Sequence, residues 1–219
     1  MIKKIFAIIY LTFVGLTFIA QKETIESIYF KNPQPILIES SLSFPKEIRG
    51  CYYKDLDSLI EICITEDSIY SSFSLIFNIP KKNLVDNNYT IKDSLVYGIK
   101  KKNGTPFKEI NDTIYAFLKQ SDLFFKITEE NTLKISKNKY YLSEFKFGEC
   151  YNILEVSKEG DTILIKEIDP VLKDFPSNFL NLKKSSSKDF NFHLANPTNE
   201  NWIDFINNNG FNETTKFHK

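Results

Sequence analysis

The sequence predicts an all-β protein, and two features of the chain support this fold class. From Gly50 onward, apolar and polar residues alternate with a period of two; in SIYSSFSLIFNI, Ile69, Phe73 and Phe77 share one face. Such alternation over roughly four to eight residues is typical of half-buried strands. About ten such runs occur, separated every 8–12 residues or so by turn signals, which is the rhythm of a sandwich or barrel. We therefore expect an antiparallel meander barrel or a sandwich of about ten strands, with one C-terminal α-helix packed on it.

The composition supports a packed core and argues against a nucleic-acid partner. The chain is 42% apolar and 15% aromatic, and its 28 basic residues balance its 28 acidic residues. Proteins that bind nucleic acid need a concentrated positive surface. The only basic run is Lys100–Lys102, which lies beside an Asn-Gly turn and is interpreted as a solvated loop. Abundant Asn, Ile and Lys with few Gly and Met are typical of an AT-rich genome, and we expect a bacterial protein.

Residues 1–20 have the organisation of a signal peptide. Lys3 and Lys4 precede sixteen uncharged residues, IFAIIYLTFVGLTFIA, which end at Ala20. A membrane-spanning helix needs about 20 apolar residues, so this run suits a secretory leader better than an anchor. Cleavage is expected after Ala20, although Phe18 is bulky for the third position before the cut; an uncleaved anchor is the alternative. The chain is therefore expected to be periplasmic or extracellular, without a transmembrane span after cleavage.

The cysteine spacing predicts one disulfide. Cys51 and Cys63 flank YYKDLDSLIEI, which has the pattern of a strand, a turn and a strand. A three-residue loop at Leu56–Ser58 would place the two cysteines opposite each other, within reach of a disulfide. An exported protein meets an oxidising compartment, where such a bond persists. The alternative is three separate thiols, with Cys150 as the third, packed as small apolar groups. The spacing fits no metal-binding motif.

A tripeptide of the form Asp-Ser/Thr-Leu/Ile recurs at irregular intervals along the chain. Its first interpretation is structural, because Asp caps a turn and the aliphatic residue begins the buried face of a strand. The tripeptide also resembles the acceptor motif of a bacterial general O-glycosylation system that acts on exported proteins. Under that second interpretation, the candidate attachment sites are Ser58, Ser68, Ser94, Thr113 and Thr162.

The mature chain divides into an irregular N-terminal segment, 21–49, and a single β-barrel domain, 50–219. Three prolines prevent a long central strand in the first segment, and SFPKEIRG predicts one short helical turn before Gly50. A helix is predicted at about 197–209, with Asn196 as its cap and an apolar stripe that includes Trp202 and Ile206. Gly210 suits the left-handed stop that ends many helices.

The order of these elements resembles the lipocalin family. A helical turn leads into Gly50-Cys51-Tyr52, where lipocalins have Gly-x-Trp, and meander strands and a helix near the C-terminus follow. The resemblance covers about residues 43–211 in element order. It implies an up-and-down barrel of about eight strands around a cavity for a small apolar ligand.

Groups that could carry out catalysis are scarce in the sequence. His193 alternates with the apolar residues of FNFHLA and is expected in solvent, and His218 is next to the last residue. The pair Glu129-Glu130 lies in a loop, where adjacent side chains diverge, and the seven glycines form no phosphate-binding loop. No catalytic residue, metal site or cofactor is therefore expected.

Aromatic residues are the one surplus, and they suggest binding. The candidate ligand contacts are Tyr52, Tyr70, Tyr97, Tyr115 and Trp202, although a second packed layer would use the same residues. The leading hypothesis is an exported, non-catalytic binding protein of the bacterial envelope that holds a small apolar ligand in a barrel lumen. The alternatives are an envelope structural or assembly factor acting through contact with another envelope protein, and a hydrolase with carboxylates from separate strands.

Overall fold

The computed structural model describes residues 27–54, 59–99, 104–169, 176–187 and 191–219. Within these ranges the chain forms sixteen strands, three single turns of 3-10 helix and one α-helix, α1, at Asn199–Asn207. The 3-10 turns are Lys46–Ile48, Lys81–Asn83 and Ser177–Phe179. The strands are β1 (Ile28–Phe30), β2 (Ser40–Ser41), β3 (Gly50–Tyr53), β4 (Ile60–Ile64), β5 (Ser68–Pro80), β6 (Thr90–Lys92), β7 (Leu95–Tyr97), β8 (Thr105–Ile110), β9 (Thr113–Lys126), β10 (Thr132–Ser136), β11 (Lys139–Phe147), β12 (Cys150–Glu159), β13 (Thr162–Glu167), β14 (Lys183–Ser186), β15 (Asn191–Ala195) and β16 (Glu213–His218).

The predicted all-β class with one C-terminal helix is confirmed. Six of the sixteen strands are only two to four residues long. Such short strands cannot display a period of two, which is why the sequence pattern predicts about ten. The N-terminal segment is more regular than expected, since it contributes β1 and β2 and the predicted helical turn at Lys46–Ile48. The leader at 1–20 and the loop at Leu56–Ser58 lie outside the described residues.

One large sheet connects all the strands. Its order is β14-β15-β1-β12-β13-β16-β3-β4-β5-β9-β8-β7-β6, and β12 also pairs with β11, which continues through β10 to β2. The pair β1–β15 is parallel and the other pairs are antiparallel. Over the described ranges no strand pair closes the sheet into a complete ring. No helix in these ranges has the length and apolar content needed to cross a bilayer.

The sheet curls around an interior cluster of fifteen buried residues. Leu133 on β10 and Ile69 on β5 belong to this one cluster although seven strand pairings separate them along the sheet, and only a curled sheet brings such strands together. The members of the interior cluster are Phe44, Ile48, Tyr52, Ile62, Ile64, Ile69, Phe125, Leu133, Tyr140, Leu142, Leu154, Val156, Ile163, Ile165 and Phe217.

A second cluster, the helix cluster, forms on the opposite face of β11 and β12. Successive residues of a strand point to opposite faces, so Leu142 enters the interior while Tyr141 faces outward. On β12, Leu154 and Ile153 divide in the same way. The members of the helix cluster are Phe30, Tyr141, Ile153, Leu180, Ala195, Trp202, Phe205 and Phe211.

Helix α1 is held at both ends by short-range hydrogen bonds. The cap is Thr198, whose side chain accepts from the Asn201 amide at 3.2 Å, so the predicted cap at Asn196 is wrong by two residues. The left-handed residue after the helix is Asn209 (φ 58°), and the prediction of Gly210 for that role is also wrong. Gly210 is instead required by packing, because a Cβ there would lie 2.3 Å from Cζ of Phe205.

The recurring Asp-Ser/Thr-Leu/Ile tripeptide marks the starts of strands. Ser68, Thr113 and Thr162 are the first residues of β5, β9 and β13, and Ser94 directly precedes β7. The Asp lies in a left-handed turn at Asp93 and Asp112, with φ values of 51° and 56°. Each described copy therefore lies at the start of a strand, and at Asp67 the carboxylate also accepts a hydrogen bond from the Ser68 hydroxyl at 2.9 Å. The copy at Ser58 lies outside the described residues.

Candidate ligand-binding groove

A groove of about 410 Å³ lies outside the curled sheet, beside the helix cluster. Three parts of the chain that are distant in sequence form it: a strip at 35–38, the β10–β11 hairpin and one face of α1. Cavities of roughly 300–1,000 Å³ are typical of small-molecule sites. The groove is the candidate functional site because it combines this volume with mostly apolar walls.

Helix α1 forms one wall through residues at helical spacing. Trp202 and Ile203 lie three and four positions after Asn199, and Ile206 lies four and three positions after them, so the four residues share one side of the helix. Trp202 is only 2% exposed, whereas Ile203 is 48% exposed at the rim. The indole packs edge-on against the rings of Phe30 and Tyr141, with centroids 5.8 and 5.6 Å away. The helix wall is therefore rigid at its base and open at its rim.

The opposite wall is the strip at 35–38, which a buried lysine ties to the sheet. Lys134 on β10 donates from Nζ to the carbonyl oxygens of Pro33 at 3.1 Å and Pro35 at 2.8 Å. The Gln34–Pro35 peptide is cis, and Gln34 is 1% exposed. Burial lowers the pKa of Lys134. Leu37 of the strip is 72% exposed, so the strip offers an exposed apolar side chain next to the prolines that Lys134 holds.

The β10–β11 hairpin supplies a third part of the groove lining, through Ser136, Lys137, Lys139 and Tyr141. Ser136 pairs with Lys139, which leaves Lys137 and Asn138 as a two-residue turn. Both turn residues have positive φ, 47° and 62°, as a type I′ hairpin requires. This turn presents the exposed Lys137 side chain to the groove, and the buried Tyr141, further along β11, also lines it.

A ladder of polar residues runs under the groove on the outer face of the sheet. Strand register aligns Lys134, Tyr141, Glu155 and Lys166 side by side across β10, β11, β12 and β13. Glu155 is 1% exposed and pairs with Lys166 at 3.3 Å and with Lys139 at 2.8 Å. Burial, the negative charge of Glu155 and a hydrogen bond with Glu155 raise the pKa of Tyr141 well above its usual range.

The chemistry of this ladder favours stability and binding over proton transfer. The Glu155 carboxylate is taken up by two ammonium groups, which a buried carboxylate needs to offset its desolvation. Tyr141 is protonated at neutral pH, as tyrosine ordinarily is, and its raised pKa extends this to higher pH. The Lys134 ammonium is bound by two carbonyls. What the groove offers a ligand is apolar area and the charge of Lys137.

The structure does not bring the five predicted ligand contacts together in one site. Trp202 lines the groove, but Tyr52 is fully buried in the interior cluster, where its hydroxyl donates to the Ile48 carbonyl at 3.0 Å. Tyr70 is 39% exposed on β5. Tyr97 and Tyr115 are half-buried on β7 and β9, away from the groove-lining residues.

The sequence analysis missed Tyr141 and Leu37 as groove residues. The signal for Tyr141 is present, because one of the two tyrosines in KYYLSEF must face away from the interior. The signal for Leu37 is the apolar triplet ILI at 36–38 directly after two prolines, where no regular strand can bury it. Nothing in the local sequence shows that these two segments meet α1.

The predicted cysteine pair is joined in the structure. Cys51 and Cys63 are directly opposite in the β3–β4 register and form a disulfide with an S–S distance of 2.02 Å. Glu61 lies beside them: the two Sγ atoms and one Glu61 carboxylate oxygen are all within 4.8 Å of one another. Glu61 also forms an ion pair with Lys119. Because both sulfur atoms are bonded to each other, they do not serve as thiolate ligands here. Cys150 is a buried free thiol.

The candidate O-glycosylation sites differ in accessibility. Ser68 is 1% exposed and donates to a carboxylate oxygen of Asp67 at 2.9 Å, so its hydroxyl does not suit an attachment site. Ser94 is exposed in the β6–β7 turn. Thr113 and Thr162 are half-buried, and the Thr162 hydroxyl lies 3.1 Å from Nδ1 of His218. Ser58 lies outside the described residues.

The chain was compared with models of protein families, with curated proteins and with solved structures, and none of them matches it.

Proposed function

We propose that this protein is a non-catalytic binding protein that holds a small, mostly apolar molecule in the groove beside α1. The observation that carries the proposal is the 410 Å³ groove between α1 and the strip at 35–38. Trp202 and Ile206 on one side and Pro35 and Leu37 on the other give an apolar ligand two walls to contact. Small-molecule sites are concave, largely apolar and supplied with few polar groups, as this groove is.

The groove replaces the barrel lumen as the proposed ligand position. The inside of the curled sheet contains the fifteen side chains of the interior cluster, including the large rings of Phe44, Tyr52 and Phe125. Protein interiors are packed about as densely as organic crystals, which leaves little room for a ligand among such side chains. We therefore retain the small apolar ligand that the sequence suggests, and we propose that it binds in the groove on the outer face of the sheet.

We also propose that the protein is exported to the periplasm or the exterior of a bacterial cell. The support is the leader organisation of residues 1–20, together with the Cys51–Cys63 disulfide, which is compatible with an oxidising compartment. Intact-mass measurement on protein from the periplasmic fraction tests this proposal. A mass beginning at Gln21 is expected, and full-length protein confined to the cytosol would contradict it.

Trp202 provides a direct test of binding, because it is the single tryptophan of the chain and lines the groove. Titration with decanol, below the concentration at which it aggregates, should change the Trp202 emission in a saturable way. The variant Leu37→Asn removes apolar area from the rim and should weaken binding by about tenfold. Leu42→Asn is the matched control, since Leu42 is an 87% exposed leucine outside the groove. Equal effects of the two variants, or no saturable change, would overturn the proposal.

A second candidate function is contact with another envelope protein through the outer face of β5 and β9. Tyr70 pairs with Leu123 and Ile76 with Phe117 across these strands, and all four side chains are 39–55% exposed. Exposed apolar side chains on one face are a feature of interaction sites. A photo-crosslinker at position 117 should capture a specific protein in intact cells under this function. Capture equal to that from position 97, on β7, would contradict it.

A further inference from the structure

We propose that the natural occupant of the groove is an anionic amphiphile, with an apolar chain between α1 and the strip at 35–38 and a carboxylate or phosphate at Lys137. This inference rests on the proposed binding function and adds the chemical class of the ligand. It is carried by the distribution of charge around the groove.

The residues that line the groove include basic side chains and no acidic ones. Twelve residues line it, of which Lys137 and Lys139 are basic and none is Asp or Glu. Lys139 is committed to Glu155 at 2.8 Å. Within the described ranges Lys137 has no carboxylate at ion-pair distance, and its side chain is exposed. Lys137 is therefore the cation that remains available to a ligand.

The polar ladder next to the groove adds to this positive character. Lys134 and Lys166 are its cations, and Glu155 is its only carboxylate. The acidic residues of α1, Glu200 and Asp204, are exposed and are not among the groove-lining residues. The charged side chains that line the groove are therefore lysines, which favour a ligand anion and disfavour a ligand cation.

The arrangement of the polar groups matches an amphiphile more closely than a uniformly apolar molecule. Ser136 and Lys137 lie together at the hairpin, whereas the α1 face offers Trp202, Ile203 and Ile206, with the uncharged Asn199 and Asn207 at the two ends of the helix. A molecule with an apolar chain and one charged end satisfies both parts at once. A neutral chain would leave the Lys137 ammonium unpaired, and a cationic head would be repelled by it.

Four probes with the same apolar chain test the inference: decanoate, decyl phosphate, decanol and decyltrimethylammonium, each below its aggregation concentration. Binding is followed by Trp202 emission and by calorimetry. Decanoate or decyl phosphate should bind about three to ten times more tightly than decanol, and the cation most weakly. The comparison of the first two probes distinguishes a carboxylate head from a phosphate head. Acetate and inorganic phosphate alone should not bind measurably.

The variant Lys137→Asn removes the charge while suiting the left-handed turn, because Asn tolerates positive φ. It should abolish the preference for anions, so that decanoate and decanol bind to the variant with equal affinity. Lys92→Asn, at an exposed lysine at the end of β6, is the control and should keep the preference. Equal affinity for all four probes in the native protein would overturn this inference and leave the binding function standing. Failure of every probe to bind would overturn both.

Discussion

At the scale of single residues, two adjacent tyrosines of β11 lie in different environments, because successive side chains of a strand point to opposite faces of the sheet. Tyr140 enters the interior cluster, and the adjacent Tyr141 enters the helix cluster. Burial is the leading cause of the raised pKa of both tyrosines. Only Tyr141 also has a buried carboxylate, Glu155, as its hydrogen-bond partner. The protonated form of Tyr141 is therefore part of the folded structure.

The raised pKa of Tyr141 predicts that the free energy of unfolding falls at alkaline pH as this tyrosine loses its proton. The folded-state pKa of Tyr141 is raised above the unfolded value of 10.0, so its contribution is complete below pH 10.0 and is lost as pH rises through the raised value. Tyr52 and Tyr140, whose pKa values are also raised, act in the same direction. Lys134 acts in the opposite direction, because its pKa is lowered.

The measurement is urea unfolding of the native protein and Tyr141→Phe at about pH 8 and about pH 11. The native protein should lose more free energy of unfolding between these pH values than the variant loses. The variant should also be less stable at the lower pH by about 1–2 kcal/mol, since Glu155 loses a hydrogen bond. An identical pH dependence of the two proteins would contradict the assignment to Tyr141.

At the scale of secondary-structure elements, the end of α1 depends on contact between its backbone and a ring. The amides of Asn209 and Gly210 donate to the carbonyls of Ile206 and Phe205, at 3.2 and 2.9 Å, as in a Schellman motif. This closure brings Gly210 directly against the Phe205 ring. Phe205 in turn lies beside Trp202, with ring centroids 5.7 Å apart.

Replacement of Gly210 by Ala should therefore disturb both the helix end and the groove wall. The added Cβ would meet the Phe205 ring at 2.3–2.4 Å, and overpacking of this kind costs about 1–3 kcal/mol. Thermal unfolding and Trp202 emission should both shift. Gly148→Ala is the control: Gly148 has a positive φ, 55°, which Gly210 does not have, and a Cβ there meets nothing within 4 Å. Its stability loss should be smaller, and its Trp202 emission should stay native.

The β3–β4 hairpin is the second element whose contribution can be isolated. Its disulfide joins residues 12 positions apart, and closure of a loop of this length stabilises a protein by about 3 kcal/mol in the chain-entropy description. The double variant Cys51→Ser/Cys63→Ser should lose free energy of unfolding of this order in urea. Reduced native protein should match the variant. A variant as stable as the oxidised protein would show that the hairpin does not need the bond.

These elements also show how far the sequence could be interpreted. The strand faces, the disulfide partners and the existence of α1 follow from local spacing, because alternation, cross-strand distance and helical periodicity act over a few residues. The position of β16 between β13 and β3 depends on contacts between distant parts of the chain. The groove forms where residues 35–38, the β10–β11 hairpin and α1 meet. The local sequence of any one of these segments therefore does not predict it. Trp202 is a candidate from the sequence because it is aromatic. Tyr141 and Leu37 are missed because only the folded chain brings them next to α1.

At the scale of the whole molecule, two long strands connect the interior cluster to a small third cluster. β5 and β9 pair from Ile69 and Phe125, in the interior, to Ile79 and Ile114. At about 3.3 Å per residue this ladder spans on the order of 30 Å. The far end, together with β6, β7 and β8, forms the distal cluster, whose buried members are Ile79, Val96, Ile114 and Ala116. Four buried residues stabilise far less than fifteen do.

The distal cluster should therefore open without loss of the rest of the fold. Val96→Ala removes buried apolar area from the distal cluster alone, so hydrogen exchange should accelerate in β6, β7 and β8 while Trp202 emission and decanol binding stay native. Leu142→Ala, in the interior cluster, should instead lower the global free energy of unfolding by about 2–5 kcal/mol and shift the Trp202 unfolding transition. If the two variants shifted that transition equally, the distal cluster would have to unfold together with the interior, and the molecule would act as one cooperative unit.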